Sequence, residues 1–193
     1  MQNSTQLRGI HQGMVTYSQS NQAYFPGLNA LGENERIRVE ERFQILMEED
    51  YITPDYAISP SETEMITEWD GWADADSEPV TKSNYSYAML QVPEQGRRRA
   101  EWSQSLNSQA IVLSDRNTGN NVKPSSIHSE TPGSWTGSVL WNDNHVGFEQ
   151  SDAVETCFGE KDEAQSNLIK TDRLFEATGN DDAWLIYTGN GKE

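Results

Sequence analysis

The chain has 193 residues, 34% of them apolar, and carries 31 acidic against 14 basic residues for a net charge of -17. That length fits one folded domain, 1–193, and six Trp, seven Tyr and five Phe supply the stiff packing groups of a core. So acidic a surface repels phosphate backbones and anionic lipid headgroups, which sets nucleic acid and peripheral membrane binding aside, and a single cysteine, Cys157, excludes an intrachain disulfide or a thiolate metal cluster.

Residues 3–20 predict an amphipathic helix, because Leu7, Ile10, Met14 and Tyr17 recur at spacings of three, four and three and form one apolar face. Gly9 and Gly13 weaken its helix propensity, and Pro26-Gly27 stops the segment. A second helix is predicted over 34–49, with Val39, Phe43, Leu46 and Met47 on one face and Asn34 as N-cap. The stretch 51–82 reads as ordered loop anchored by Tyr51, Tyr56, Ile58, Trp69 and Trp72. From residue 83 the period changes to two, giving a sheet-forming part, 83–193, with strands over 84–92, 109–114, 134–142, 145–150 and 183–188. The basic run Arg97–Arg99 reads as a solvated loop or a local salt-bridge patch, and the turn-rich stretch 115–133 as loop. Helices first and strands afterwards predict an α+β fold: an N-terminal amphipathic helix packed on an antiparallel β-sheet, with long loops. Asp143-Asn144 is placed as a two-residue hairpin turn, a register that pairs Trp141 with Val146 and Val139 with Phe148 on one face. The longest apolar run, 183–187, falls far short of the roughly 20 residues of a membrane helix.

The residues that carry chemistry are few. His11, His128 and His145 are the only imidazole bases and no Gly-x-Ser-x-Gly elbow is present, which points away from a hydrolase. His11 is expected at the surface, and His145 to hydrogen-bond within its hairpin. Asp115, His128, Asp143 and His145 all flank the same predicted strand ends. They suit either a polar network pinning the long loop or a carboxylate–imidazole zinc site, and their separations follow no zinc spacing rule, so the network is preferred. Oxygen ligands for calcium are offered by Asp74, Asp76 and Glu78, or by Asn180, Asp181 and Asp182.

The sequences Ile-Val-Leu-Ser-Asp-Arg-Asn at 111–117, Ser-Ser-Ile-His at 125–128 and Gly-Ser-Val-Leu-Trp-Asn-Asp-Asn-His-Val-Gly-Phe-Glu at 137–149 resemble the H-x9-DG pilin-like proteins, a prepilin-type family. Asp115, Arg116, His128, Asp143, His145, Val146 and Phe148 stand where that family has its Asp-Arg-Asn segment, its loop histidine and its Asp-Gly-His-Val strand. Here the turn is Asp-Asn rather than Asp-Gly, and fourteen residues rather than nine separate His128 from Asp143. Residues 7–17 with 24–27 look like the second half of the long pilin helix and the loop after it, and 84–89 like the first strand. The resemblance implies a non-catalytic pilin-like or pseudopilin subunit of a type IV pilus or type II secretion system. Its partners would be other copies, and an apolar half-helix preceding residue 1, absent here, would anchor it in the inner membrane with the head in the periplasm or at the cell surface. Calcium in a C-terminal loop, as in some major pseudopilins, would fall on Asn180, Asp181 and Asp182; no other cofactor is implied. The alternative reading is a secreted binding module, for carbohydrate or another surface ligand, that uses Trp69, Trp72, Trp102 and Trp135 as exposed aromatics.

Overall fold

The computed structural model of the chain describes residues 2–71, 78–105, 107–129, 131–158 and 169–192. Two helices come first, α1 (Gln2–Ser20) and α2 (Val39–Glu48), followed by a 3-10 turn at Pro54–Ala57. Strand β1 (Tyr87–Leu90), the one-turn helix α3 (Arg97–Ala100), β2 (Ile111–Asp115), β3 (Gly137–Trp141) and β4 (Val146–Glu149) follow. The chain continues with β5 (Ala153–Thr156), β6 (Lys170–Arg173) and β7 (Leu185–Ile186). The main sheet runs β4-β3-β2-β1-β7 with every pair antiparallel, and β5 and β6 form a separate antiparallel hairpin. The fold is therefore α+β with antiparallel sheets, as the order of patterns predicts.

Every residue of β1, β2 and β3 is buried, so the middle of the sheet is covered on both faces, while the edge strand β4 is only partly covered. Ser138 of β3 and Asn142, the first residue after it, face α1, where they meet Asn3 and His11, and Leu140 between them points the same way. Trp141 points to the other face, where its indole N–H reaches the Glu155 carbonyl of β5. Val146 and Phe148 of β4 pair with Leu140 and Ser138, on the helix side.

The predicted core face of α1 is largely as expected: Leu7, Ile10 and Met14 are fully buried. Tyr17 is half-buried and meets Tyr51 edge to face, with ring centroids 5.6 Å apart. The glycines of this helix have a packing role. A Cβ on Gly13 would stand 2.9 Å from Ile52 Cγ2 and 3.0 Å from the Tyr51 carbonyl oxygen, and one on Gly9 would enter the Tyr56 ring. The segment after α2 is seated directly on the helix backbone at these two positions.

Three expectations need correction. The β3–β4 hairpin exists, but its register is one residue away from the predicted one: Leu140 pairs with Val146 and Val139 with Gly147. The loop holds three residues, because the Trp141 carbonyl accepts from the Asn144 N–H at 2.9 Å while the Trp141 N–H donates to His145. Asn144, at φ 68, takes the left-handed position that such a loop requires. The reason lies in Asn142, whose side chain is drawn under α1 and cannot also stand opposite His145 as a ladder partner. Second, α2 begins five residues later than expected. Asn34 is bound to Arg99 instead, and the N-terminus is closed by the Glu41 carboxylate accepting from the Arg38 N–H at 3.0 Å. Its C-terminus is a Schellman turn, with Asp50 at φ 58 and the Tyr51 N–H on the Leu46 carbonyl. Third, the β5–β6 hairpin was not anticipated. Trp72, Asp74 and Asp76 lie outside the described residues.

Replacing Gly13 by Ala tests the seating. Helix propensity alone favours Ala by about 1 kcal/mol, but the clash with the fixed Tyr51 carbonyl should outweigh it and leave the variant about 1–2 kcal/mol less stable to urea. A variant more stable than the parent would show that the 51–57 segment does not rest on α1.

Candidate functional site

The residues singled out by sequence fall into separate groups. At the N-terminal end of β3, the fully buried Asp115 carboxylate accepts from Asn3 Nδ2 at 2.7 and 2.9 Å, from the Ser138 backbone N–H at 2.6 Å and from His128 Nε2 at 2.8 Å. Asn3 extends the network, since its Oδ1 accepts from Ser59 Oγ at 3.0 Å and from the Tyr87 hydroxyl at 2.6 Å. Burial, and then the charge of Asp115 beside it, raises the Tyr87 hydroxyl and keeps it a neutral donor. The outer edge of His128 meets Phe148 at a centroid distance of 5.3 Å.

Arg116, next in sequence, turns elsewhere. It forks onto Glu62 with Nε and Nη2 at 3.0 and 2.8 Å, pairs with Glu64 at 3.0 Å, and lies over the Tyr187 ring. Burial works against the Glu62 charge, yet the Arg116 fork prevails and holds its carboxyl below the ordinary range. Asp143 and His145 form a third group in the hairpin loop. Asp143 Oδ1 accepts from the His145 N–H at 3.1 Å and contacts its ring, which stacks flat on Trp141 at 4.4 Å.

The expected flanking of one strand end by Asp115, His128, Asp143 and His145 is therefore overturned. The two His–Asp pairs sit at opposite ends of β3, roughly 15 Å apart along a strand of this length. Among the described residues no group of three or more His, Cys, Asp or Glu side chains could share a metal ion. Asn180, Asp181 and Asp182 are engaged by protein donors. The Asn180 carbonyl accepts from the Arg98 N–H, Asp181 from the Arg97 N–H at 2.8 Å, and Asp182 from Arg98 Nη1 at 2.8 Å and from Thr178. Of the two expected readings of the basic run, the structure shows the local salt-bridge patch, built on a short helix held by acids, and not the solvated loop.

His11 corrects the surface expectation. It is 2% exposed, with Nε2 3.2 Å from Asn142 Oδ1, Nδ1 3.2 Å from Asn144 Oδ1, and its ring edge-on to Phe25. Asn142 is itself oriented, because its Nδ2 donates to the Glu101 and Ser103 carbonyls. The exposed-aromatic expectation fails as well. Trp69, Trp102 and Trp135 are 6%, 0% and 1% exposed, and their indole N–H groups donate to the Glu78, Pro26 and Arg116 carbonyls. A chain only 34% apolar draws its largest apolar groups inside.

Chemically, the Asp115–His128 pair orients an imidazole as a hydrolase would orient its base. Among the described residues, however, no hydroxyl or thiol hydrogen-bonds to the His128 ring. The open space nearest α1 is a groove of about 410 Å³ lined by Gly9, Gln12, Gly13, Thr16, Tyr51 and Tyr56, and neither His–Asp pair borders it. The candidate site is thus a set of buried polar pins between helix and sheet. Compared with models of protein families, with curated proteins and with solved structures, the chain matches none.

Two outcomes follow. Asp115→Ala strands the Asn3, Ser138 and His128 donors and should cost about 3 kcal/mol in chemical denaturation, whereas Asp143→Ala, at the surface, should cost under about 1 kcal/mol; equal losses would remove Asp115 from its pinning role. Burial, opposed by Asn142, Asn144 and Asp143, lowers the His11 pKa below its ordinary 6.5. The unfolded chain then binds the proton more tightly, so the His11 contribution is intact above about pH 6.5 and is lost as pH falls from there through the lowered value. Melts between pH 7.5 and 5 should fall more steeply for the parent than for His11→Gln, and parallel curves would refute the assignment.

Proposed function

We propose that this chain is the head of a pilin-like subunit, a non-catalytic component that assembles with copies of itself into a type IV pilus or a type II secretion pseudopilus. The observation that carries this reading is α1, an amphipathic helix lying lengthwise over one face of an antiparallel sheet and fixed there by Asn3 and His11. The outer face of that helix presents Thr5, Arg8, Gln12 and Thr16 to solvent, at the helical spacing a neighbouring subunit would meet. The ordered resemblance of 111–117, 125–128 and 137–149 to the H-x9-DG proteins supports the same reading. So does the arrangement of buried polar groups, which holds the helix in place rather than serving a reaction. In this reading the head lies in the periplasm or at the cell surface, and an apolar helical segment upstream holds the subunit in the inner membrane.

The test is cross-linking in the native host, with the gene at its own locus. In a Cys157→Ser background, Arg8→Cys and Gln12→Cys should give dimers and a ladder of higher species on oxidation, recovered from the membrane or sheared surface fraction. Monomer alone, from both variants and in both fractions, would overturn self-assembly through this face.

A further inference from the structure

Three arginines are buried in this acidic chain, and two of them are fully matched. Arg98 donates Nε to the Gln91 carbonyl at 2.9 Å, Nη2 to Gln91 Oε1 at 2.8 Å and Nη1 to Asp182 at 2.8 Å. Arg116 closes its fork on Glu62. Arg42, in the second turn of α2 and 0% exposed, does neither. Its Nη1 donates to the Leu90 carbonyl at 2.9 Å and its guanidinium lies 4.8 Å over the Trp102 ring, but among the described residues Nε and Nη2 have no hydrogen-bond partner.

Those two nitrogens are not an arbitrary pair. They form one edge of the guanidinium, the parallel N–H fork that grips both oxygens of a carboxylate, and it is this edge that Arg116 closes on Glu62. The nearby acids on the same helix are committed elsewhere, Glu41 to the Arg38 N–H and Glu40 to the Gly189 N–H. Deprotonation does not relieve the imbalance. Burial lowers the Arg42 pKa to about 9, which leaves the group charged at neutral pH.

We propose that Arg42 is an internal anion site, its Nε–Nη2 edge holding a small planar carboxylate of the formate class beside Trp102. The anion must be small because the guanidinium is roofed over. The Trp102 indole N–H donates to the Pro26 carbonyl at 2.8 Å, and the Phe25 N–H donates back to the Trp102 carbonyl. At Gly27, φ is +103, and a Cβ there would stand 2.9 Å from Arg42 Cδ, so glycine is required both by the backbone and by the closeness of the roof. An anion held there would link α2, the 25–27 segment and the residues after α3 through one charge. This inference does not depend on the assembly reading.

The test uses the full chain. Thermal unfolding in sodium formate is compared with a bulky buffer sulfonate at equal ionic strength, for the parent and for Arg42→Lys, which keeps the charge and loses the fork. Crystals soaked in sodium bromide then report any anion by its anomalous signal. Formate should raise the parent melting temperature by at least about 3 °C over sulfonate and leave Arg42→Lys unmoved. A bromide peak on the Nε–Nη2 edge upholds the site even if the variant fails to fold. A formate shift of equal size in Arg42→Lys would overturn the proposal, as would water alone on that edge with melts that do not distinguish formate from sulfonate.

Discussion

The structure depends on a match of length between a helix and a strand. Asn3 and His11 lie eight residues apart on α1, a rise of about 12 Å, and they reach Ser138, on β3, and Asn142, just past its end and four residues further on, a span of about 13 Å. Helix and strand are therefore pinned at two corresponding points, one to each end. A purely apolar face could slide or rotate by a turn at small cost. Two polar pins that must each find a buried partner cannot, because a slip of one turn would leave several donors and acceptors without partners inside the protein. Leu7 and Ile10 lie between the pins and supply the apolar contact, while the pins supply the position.

The same logic extends to the charged groups. In a chain of net charge -17, the arginines inside act as staples between segments far apart in sequence. Arg98 joins α3 to residue 182, and Arg116 joins the end of β2 to residues 62 and 64. The long loops that composition promised are thereby held against the body at defined places, each through a carboxylate buried with its partner. Such pairs add little net stability when formed, but breaking one is costly, so they select the arrangement more than they strengthen it.

Much of the fold was legible, and the errors share a cause. Periodicity located α1, the body of α2 and five of the seven strands, because apolar spacing reports which face is covered. It could not report the polar residues on that same face. Asn3 and His11 extend the stripe of Leu7, Ile10 and Met14 at helical spacing, but a polar side chain in a helix reads as a solvent face unless its partner is known, and Asp115 and Asn142 are more than a hundred residues away. The hairpin slipped for the same reason: Asn142 looked like a strand terminus, and its burial decided the register. Trp69, Trp102 and Trp135, the exposed aromatics of the alternative binding-module reading, are core instead, because a chain so poor in aliphatic residues builds its interior from its aromatic ones. The β5–β6 hairpin, five of whose eight strand residues are exposed, has only Val154 and Thr156 as an alternating buried signal, too short to separate from loop.

The order of strands across the sheet has a consequence for how the chain is made. β1 lies between β2 and β7, and Met89 pairs with Ile186, 97 positions further on. At a synthesis rate of 5–20 residues per second, about 5–20 s separate the emergence of the two partners. Throughout that interval the outer edge of β1 offers its unpaired backbone groups to any other extended chain nearby, the hazard that sheet edges carry in general. The two-residue strand β7 is thus a closing seam, and the ribosome and the cell's holding factors have to keep β1 from finding the wrong neighbour until it arrives.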